Sequence, residues 1–203
     1  MQRSAQKSAR RLRMLEGARR LFARQGYART TFQELAAAAD VSVATVFNYF
    51  PTKEHLVEAL LRPDLERTLA RGQHVIERPP SDPGRAMVRL LSAYRDLGGP
   101  NWENRELLRL AVLPGIGNTG RMKELVVEAD RRTQDQIRAL LKAQRDAGQL
   151  VKGLPLEDAA AVIFALLNQH YALFLTEEPT LSFQRMFRML ARRVRLVFAD
   201  WQP

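Results

Sequence analysis

Between Thr31 and Lys53 the sequence starts and stops helices faster than anywhere else in the chain, and that spacing constrains the fold most. Thr31-Phe32-Gln33-Glu34 is a capping box: the threonine hydroxyl takes the third amide while the glutamate reaches back to the cap. It opens a short helix over Phe32 to Ala39. Ser42 caps a second helix that ends near Tyr49, ahead of Pro51, and Thr52 caps another starting at Lys53. Helices this short are not stable alone, so they must hold one another through packing. Ala36, Ala37 and Ala39 let the first pass close to the second, whose inner set is Val41, Val46 and Phe50. The stretch from Asp40 to Leu56 still carries Val43, Phe47 and Tyr49, more apolar surface than one core face uses.

Two short capped helices joined by Asp40-Val41-Ser42 make a helix-turn-helix pattern. Its second helix projects its N-terminal end, Ser42, Val43 and Ala44, where amides, a hydroxyl and small side chains can approach a phosphate or base edge. The charge distribution points the same way. Of a net charge of +10, residues 1–62 hold +6, from 11 Lys and Arg against 5 Asp and Glu. Arg3, Lys7, Arg10, Arg11 and Arg13 lie ahead of the first apolar stripe, suited to phosphate contact or to solvation.

The periodicity is helical almost throughout, with no alternating strand, so the fold class is all-α. A first helix is expected from about Ser8 to Gln25, with Leu15, Ala18, Leu21 and Phe22 inward and Gly26 ending it. Pro63 should kink or interrupt the helix that begins at Lys53. Asp82 with Pro83 starts a helix to about Leu97, Trp102 to Leu113 forms another, and a long one runs from about Arg121 to Ala147. The Gly-Ile-Gly-Asn-Thr-Gly run at 115–120 lacks the Lys-Ser/Thr of a phosphate loop and reads as a connector.

Pro155 to Leu175 is apolar nearly all round and must be covered on every side. The last helix repeats Phe183, Phe187, Leu190, Val194, Val197 and Trp201 at heptad-like spacing. Together they predict a face for self-association, most simply a two-fold homodimer with a four-helix interface. No run approaches the about 20 continuous apolar residues of a membrane span, and the polar, basic N-terminus has no signal-peptide pattern. Cysteine is absent, which removes disulfides and thiolate zinc sites, and three histidines cannot build a histidine-rich metal site. A cytoplasmic protein without cofactor or metal is expected.

Residues from about Arg13 to Leu61 resemble the DNA-binding domain of the TetR (tetracycline repressor) family of bacterial transcription regulators. The matching segments are Ala18-Arg-Arg-Leu-Phe-Ala-Arg-Gln-Gly-Tyr27, Thr30-Thr-Phe-Gln-Glu-Leu-Ala36 and Val41-Ser-Val-Ala-Thr-Val-Phe-Asn-Tyr-Phe-Pro-Thr-Lys-Glu54. The resemblance implies a three-helix DNA-binding domain over 1–62 and a helical domain over 63–203 that dimerises and binds an effector. It implies phosphate contacts from Thr31, Thr45, Tyr49 and Lys53, a base contact from Asn48, and a thymine-methyl contact from Val43. Phe47 stands where tyrosine is usual, which leaves an apolar contact to sugar or thymine methyl. Asp40 and Ala44 stand where glycine is usual, and Gly17 where alanine is.

An effector cavity should lie among the helices of residues 82–175, with Met87, Tyr94, Trp102, Leu107, Met122, Phe164, Asn168 and His170 as candidate lining. Asn168 and His170 are the sharper pair, being polar in an apolar helix and needing partners when buried. The leading reading is a homodimeric repressor on a near-palindromic operator, released by a small molecule. Its rivals are an effector-independent dimeric regulator and a helical enzyme. No Ser/His/Asp set, paired carboxylates or nucleotide loop supports the enzyme.

Overall fold

The computed structural model describes residues 2–94, 109, 120–176 and 181–202. These form helices α1 (Gln2–Gln25), α2 (Phe32–Ala39), α3 (Val43–Tyr49), α4 (Lys53–Glu77), α5 (Pro83–Ala93), α6 (Gly120–Asp146), α7 (Leu156–Thr176) and α8 (Phe183–Ala199), with no strand among the described residues. They fall into two compact units that divide after Asp64 within α4 and after Leu125 within α6. The expected helix over Trp102 to Leu113, the end of the helix predicted to reach Leu97, and the connector at 115–119 lie outside the described residues.

In the first unit α1 begins several residues before Ser8, because Ser4 to Lys7 continue a helix without adding apolar periodicity. Its inner stripe is Met14, Ala18, Leu21 and Phe22, all buried, and Gly26 at φ 82° ends it. Leu15, placed inward from the pattern, is only half-buried. The capping box is complete, with Glu34 N–H donating to Thr31 Oγ1 and Thr31 N–H donating to Glu34 Oε2. Leu35, Ala36 and Ala39 are buried while Ala37 is exposed, so three alanines share two duties rather than one. Val46 and Phe50 complete this core at 0% and 2% exposure, and each such side chain contributes about 1.5–3 kcal/mol. Val41 sits at its edge, half-buried.

The turn from α2 to α3 depends on Asp40, at φ 54° and ψ 57° in the left-handed region. Its N–H donates to Ala37 O and the next amide, Val41 N–H, donates to Ala36 O. A short polar side chain adopts this conformation more readily than a branched one, so aspartate serves where glycine would be easier. Gly17 faces α2: a Cβ there would lie 3.4 Å from Ala38 Cβ, an ordinary contact.

Pro63 does not interrupt α4, which runs unbroken from Lys53 to Glu77. The proline lies on the exposed side, where its ring meets no packed neighbour. Arg19 of α1 reaches this turn, donating to Leu60 O at 3.3 Å, one carbonyl beyond the one proline leaves without its amide, and to Asp64 Oδ2 at 3.2 Å. Glu58 of α4 also holds Arg121 at the start of α6, at 3.2 Å.

The second unit packs α7 against α8 and α5 against α8. Its core includes Met87, Leu90, Ile137, Leu140, Ile163, Leu167, Val194 and Phe198. Polar groups inside it are paired over long range. Tyr94 Oη donates to Gln136 Oε1, Gln136 Nε2 donates to Leu69 O, and Tyr171 Oη donates to Tyr94 O. Gly72 makes room for this network, since a Cβ there would lie 2.3 Å from Gln136 Oε1. By length and mean hydropathy α7 is the one helix among the described residues able to cross a membrane. It nonetheless carries Asn168, Gln169 and a fully buried His170, and eight of its side chains are buried.

Within the single chain one face of α7 is left uncovered. Val162 is 44% exposed, and Ala161 and Ala165 are exposed beside it on the same face.

Candidate nucleic-acid interface

α3 is held by one face only. Val46 and Phe50 point into the unit, and at about 100° per residue Ala44 and Asn48 point directly away. Both are exposed, and Asn48 makes no hydrogen bond within the described residues, so its amide keeps its full donor and acceptor set. Ser42 accepts from Thr45 N–H at 3.1 Å and its hydroxyl lies 2.8 Å from that of Thr45. Two hydroxyls sharing one such contact leave a hydroxyl hydrogen to turn outward.

The other predicted phosphate ligands have partners of their own. The Thr31 hydroxyl donates to Glu34 Oε2 at 2.9 Å. Hydrogen bonds from the Gln25 amide and from the Thr31 N–H and hydroxyl hold the Glu34 carboxyl below its ordinary pKa. Tyr49 is half-buried and donates to Lys7 O at 3.3 Å, tying the end of α3 to the basic start of α1. Lys53 Nζ donates to Tyr27 O at 3.1 Å and Ala28 O at 3.2 Å and lies over the Tyr27 ring. An ammonium has three hydrogens, so one remains for a phosphate. Val43 is half-buried, and Phe47 is 46% exposed.

One neighbour of this surface escaped the sequence reading, and a second, Arg11, is legible there only as one of a basic run. Phe32, the first residue of α2, stacks on Phe47 with centroids 4.4 Å apart and planes at 29°. The signal was an aromatic side chain at an otherwise polar helix start. Arg11 lies over the Phe50 ring, 5.5 Å from its centroid, so α1 sets its cations beside α3. Helical spacing from Lys7 to Arg11 was the available clue.

In the second unit the predicted effector residues separate. Met87 and His170 are fully buried, Tyr94 is 4% exposed, and Phe164 and Asn168 are half-buried. Met122 is buried in the first unit, while Trp102 and Leu107 lie outside the described residues. Burial pushes the Tyr94 phenol well up. His170 has a partner at each nitrogen: Nδ1 lies 2.6 Å from Leu166 O, and Nε2 lies 3.1 Å from Arg193 Nη1. Since a guanidinium only donates, Nε2 accepts and Nδ1–H donates to the carbonyl. Burial, then Leu166 in the opposite sense, then Arg193, leave the imidazole pKa lowered. Asp130 on α6 is pushed up to about 6 by burial alone.

Of the predicted dimer seam, Leu190 and Val194 are buried within the protomer, at 1% and 0%. Phe183, Phe187, Val197 and Trp201 are half-buried. Phe183 packs on Phe174 and Phe187, and Trp201 on Phe198. Leu196, off the predicted seam, is 63% exposed.

Helices α1 to α4 thus carry a helix-turn-helix whose second helix offers an uncommitted amide and outward hydroxyls, the class of domain that reads duplex DNA through the major groove. Residues 14–60 match the family model described as bacterial regulatory proteins, tetR family. These residues are therefore a tetR-family DNA-binding domain. The chain is 50% identical over 52 residues to the HTH-type transcriptional regulator LuxR of Vibrio harveyi, covering 26% of this chain and 25% of that protein. It is 43% identical over 63 residues to the HTH-type transcriptional repressor Rv1474c of Mycobacterium tuberculosis, covering 31% of this chain and 34% of that one. The chain therefore matches only about a quarter to a third of these relatives' length. A transcriptional regulator from Saccharomonospora viridis, solved in complex with choline, shares the fold with a TM-score of 0.74. That match covers 91% of this chain and 95% of that one at 22% identity.

Proposed function

We propose that the protein is a homodimeric transcriptional repressor that binds a near-palindromic operator through residues 1–62 and releases it when residues 63–203 take up a small-molecule effector. The observation that carries the DNA-binding part is the outer face of α3, where Ala44 and Asn48 stand clear of the protein between two hydroxyls and an open aromatic ring. Small side chains let the backbone approach, and an unpaired carboxamide makes the bidentate contact that adenine accepts. Thr31, Ser42, Thr45, Tyr49 and Lys53 contact phosphates, which requires Thr31 to turn its hydroxyl from Glu34, Tyr49 to turn its own from Lys7 O, and Lys53 to use its third hydrogen.

The uncovered positions of α7 and α8 support the dimer. Val162 with Ala161 and Ala165 on α7, and Leu196 on the side of α8 turned away from its seam, are apolar and exposed in the single chain and are open to a second copy. An effector reading is supported by the ligand in the Saccharomonospora viridis neighbour and by Asn168, half-buried in an apolar helix. His170 contributes there by fixing α7 to α8 through Arg193, since its own ring is satisfied. The cytoplasm is the compartment in which such a regulator meets DNA.

Selection from a random duplex pool, followed by footprinting, tests this directly. An enriched palindrome with half-sites about 10 base pairs apart, or a multiple, is the expected result. Asn48→Ala should cost roughly 1–3 kcal/mol at one base position and nothing on random DNA. Equal loss on both would remove Asn48 from base reading. Adding candidate ligands to the same assay tests release.

A further inference from the structure

α3 has two unlike flanks. Thr45 and Tyr49 lie on the side that continues into α1, through the Tyr49–Lys7 hydrogen bond and the Arg11 guanidinium over Phe50. Val43 and Phe47 lie on the other side, which continues into α2 through the Phe32–Phe47 stack. The first flank is polar and cationic, suited to phosphates. The second is an apolar wall beside Asn48, built from one half-buried valine, one half-buried phenylalanine and one phenylalanine that is 46% exposed.

A phenyl ring left open next to a carboxamide has no hydrogen to give a phosphate. On the major-groove edge of a base pair the one apolar feature is the C5 methyl of a pyrimidine. The stack fixes which part of Phe47 is available, because Phe32 covers one face at 4.4 Å and leaves the edge and the far face outward. A ring already held in place loses little freedom when it meets its target.

We propose that Phe47, held by Phe32, selects a 5-methylpyrimidine, thymine in an unmodified operator, at the base step next to the one Asn48 reads. Phe47 makes the contact; Phe32 is a positioning residue that touches Phe47 and not the DNA. The proposal rests on the DNA-binding reading above and adds to it a chemical group and a second residue.

The test replaces each thymine of the selected operator by uracil, one at a time, which removes the methyl and keeps every hydrogen-bonding group. With the wild-type protein, the thymine that Phe47 meets in each half-site should show about fourfold weaker binding on replacement, the worth of one buried methyl group, as should any thymine that Val43 meets. In Phe47→Ala that position should become indifferent to the methyl while the remaining thymines keep their response. Phe47→Tyr, which preserves the stack, should keep the discrimination. Phe32→Ala should reduce it without changing affinity for the uracil operator, an outcome a merely structural residue would not give. Circular dichroism confirms that each variant is folded. If Phe47→Ala weakens operator and random DNA alike, with no methyl response lost, the ring contacts the sugar-phosphate backbone and the proposal is wrong. A pool that yields no enriched sequence overturns the DNA-binding reading itself, and this proposal with it.

Discussion

The two units are both helical, yet the bonds that cap the helix-turn-helix and those that tie the C-terminal core differ in reach, even though Arg19 to Asp64 and Tyr49 to Lys7 also span the first unit. In the first, the bonds that shape the helix-turn-helix are local: Thr31 with Glu34, Ser42 with Thr45, and Thr52 with His55, each three residues apart. In the second they reach across the chain: Tyr94 to Gln136, Gln136 to Leu69, Tyr171 to Tyr94 and His170 to Arg193. Local bonds place a few outward groups accurately and tolerate change elsewhere. Long-range bonds fix the packing of distant helices, and each depends on where its partner was carried. That difference accords with a family model that matches residues 14–60 alone and a fold that is shared over 91% of the chain at 22% identity.

The largest expected effect comes from separating the two units functionally. Val162→Arg with Leu196→Arg puts charge on exposed positions of α7 and α8, so each protomer stays folded while pairing fails. Sedimentation should show monomers, and operator affinity should drop roughly 100-fold or more as two linked half-sites become one. A dimer that survives both changes would place the interface elsewhere. Leu190→Arg is a poorer probe, because Leu190 is buried and its loss unfolds the unit.

Next comes the local turn. Asp40→Val puts a branched side chain at φ 54° and should cost about 1–2 kcal/mol in urea denaturation, with the C-terminal network intact. No loss would mean the turn relaxes and is less fixed than its hydrogen bonds suggest.

Asp130 tests the second unit through pH. Its carboxyl titrates near 6 when folded and near its ordinary value when unfolded, so the folded state holds more protons between those values. Stability should therefore fall as pH rises from about 4 to 6, and Asp130→Asn should remove that slope and gain about 1 kcal/mol at pH 7, a figure reduced for partial exposure. A slope unchanged in Asp130→Asn would assign it to other groups. The smallest effect is Gly17→Ala, whose Cβ meets Ala38 at ordinary contact distance. Helix propensity alone should raise stability by up to about 1 kcal/mol, and a loss would show that α1 and α2 cannot give way.

The same contrast explains what could be read in advance. The capping box, the Ser42 cap, the inward Val46 and Phe50, and the left-handed Asp40 are all decided within four residues, where pattern and chemistry coincide. Phe32 was missed because its partner is fifteen positions away on another helix, and nothing at Phe32 says which way its ring turns. In α7 the apolar residues on every side call for cover, but they do not say which side the chain's own helices supply and which they leave open. In α8 the spacing marked an apolar seam but not its owner, and the protomer's core takes Leu190 and Val194. Pro63 carries the sequence signal of a kink or interruption; the helix tolerates it because its side is exposed and Arg19 braces the turn.

That proline has a mechanical consequence. A helix resists flexing in proportion to the hydrogen bonds that must stretch, and at Pro63 one rung is missing. The stiffness of α4 is therefore lowest one residue before its chain passes from one compact unit to the other. Arg19 acts there as a splint whose strength is electrostatic, bound to Asp64 and the Leu60 carbonyl. Salt or removal of the Arg19 charge therefore weakens the brace at that point.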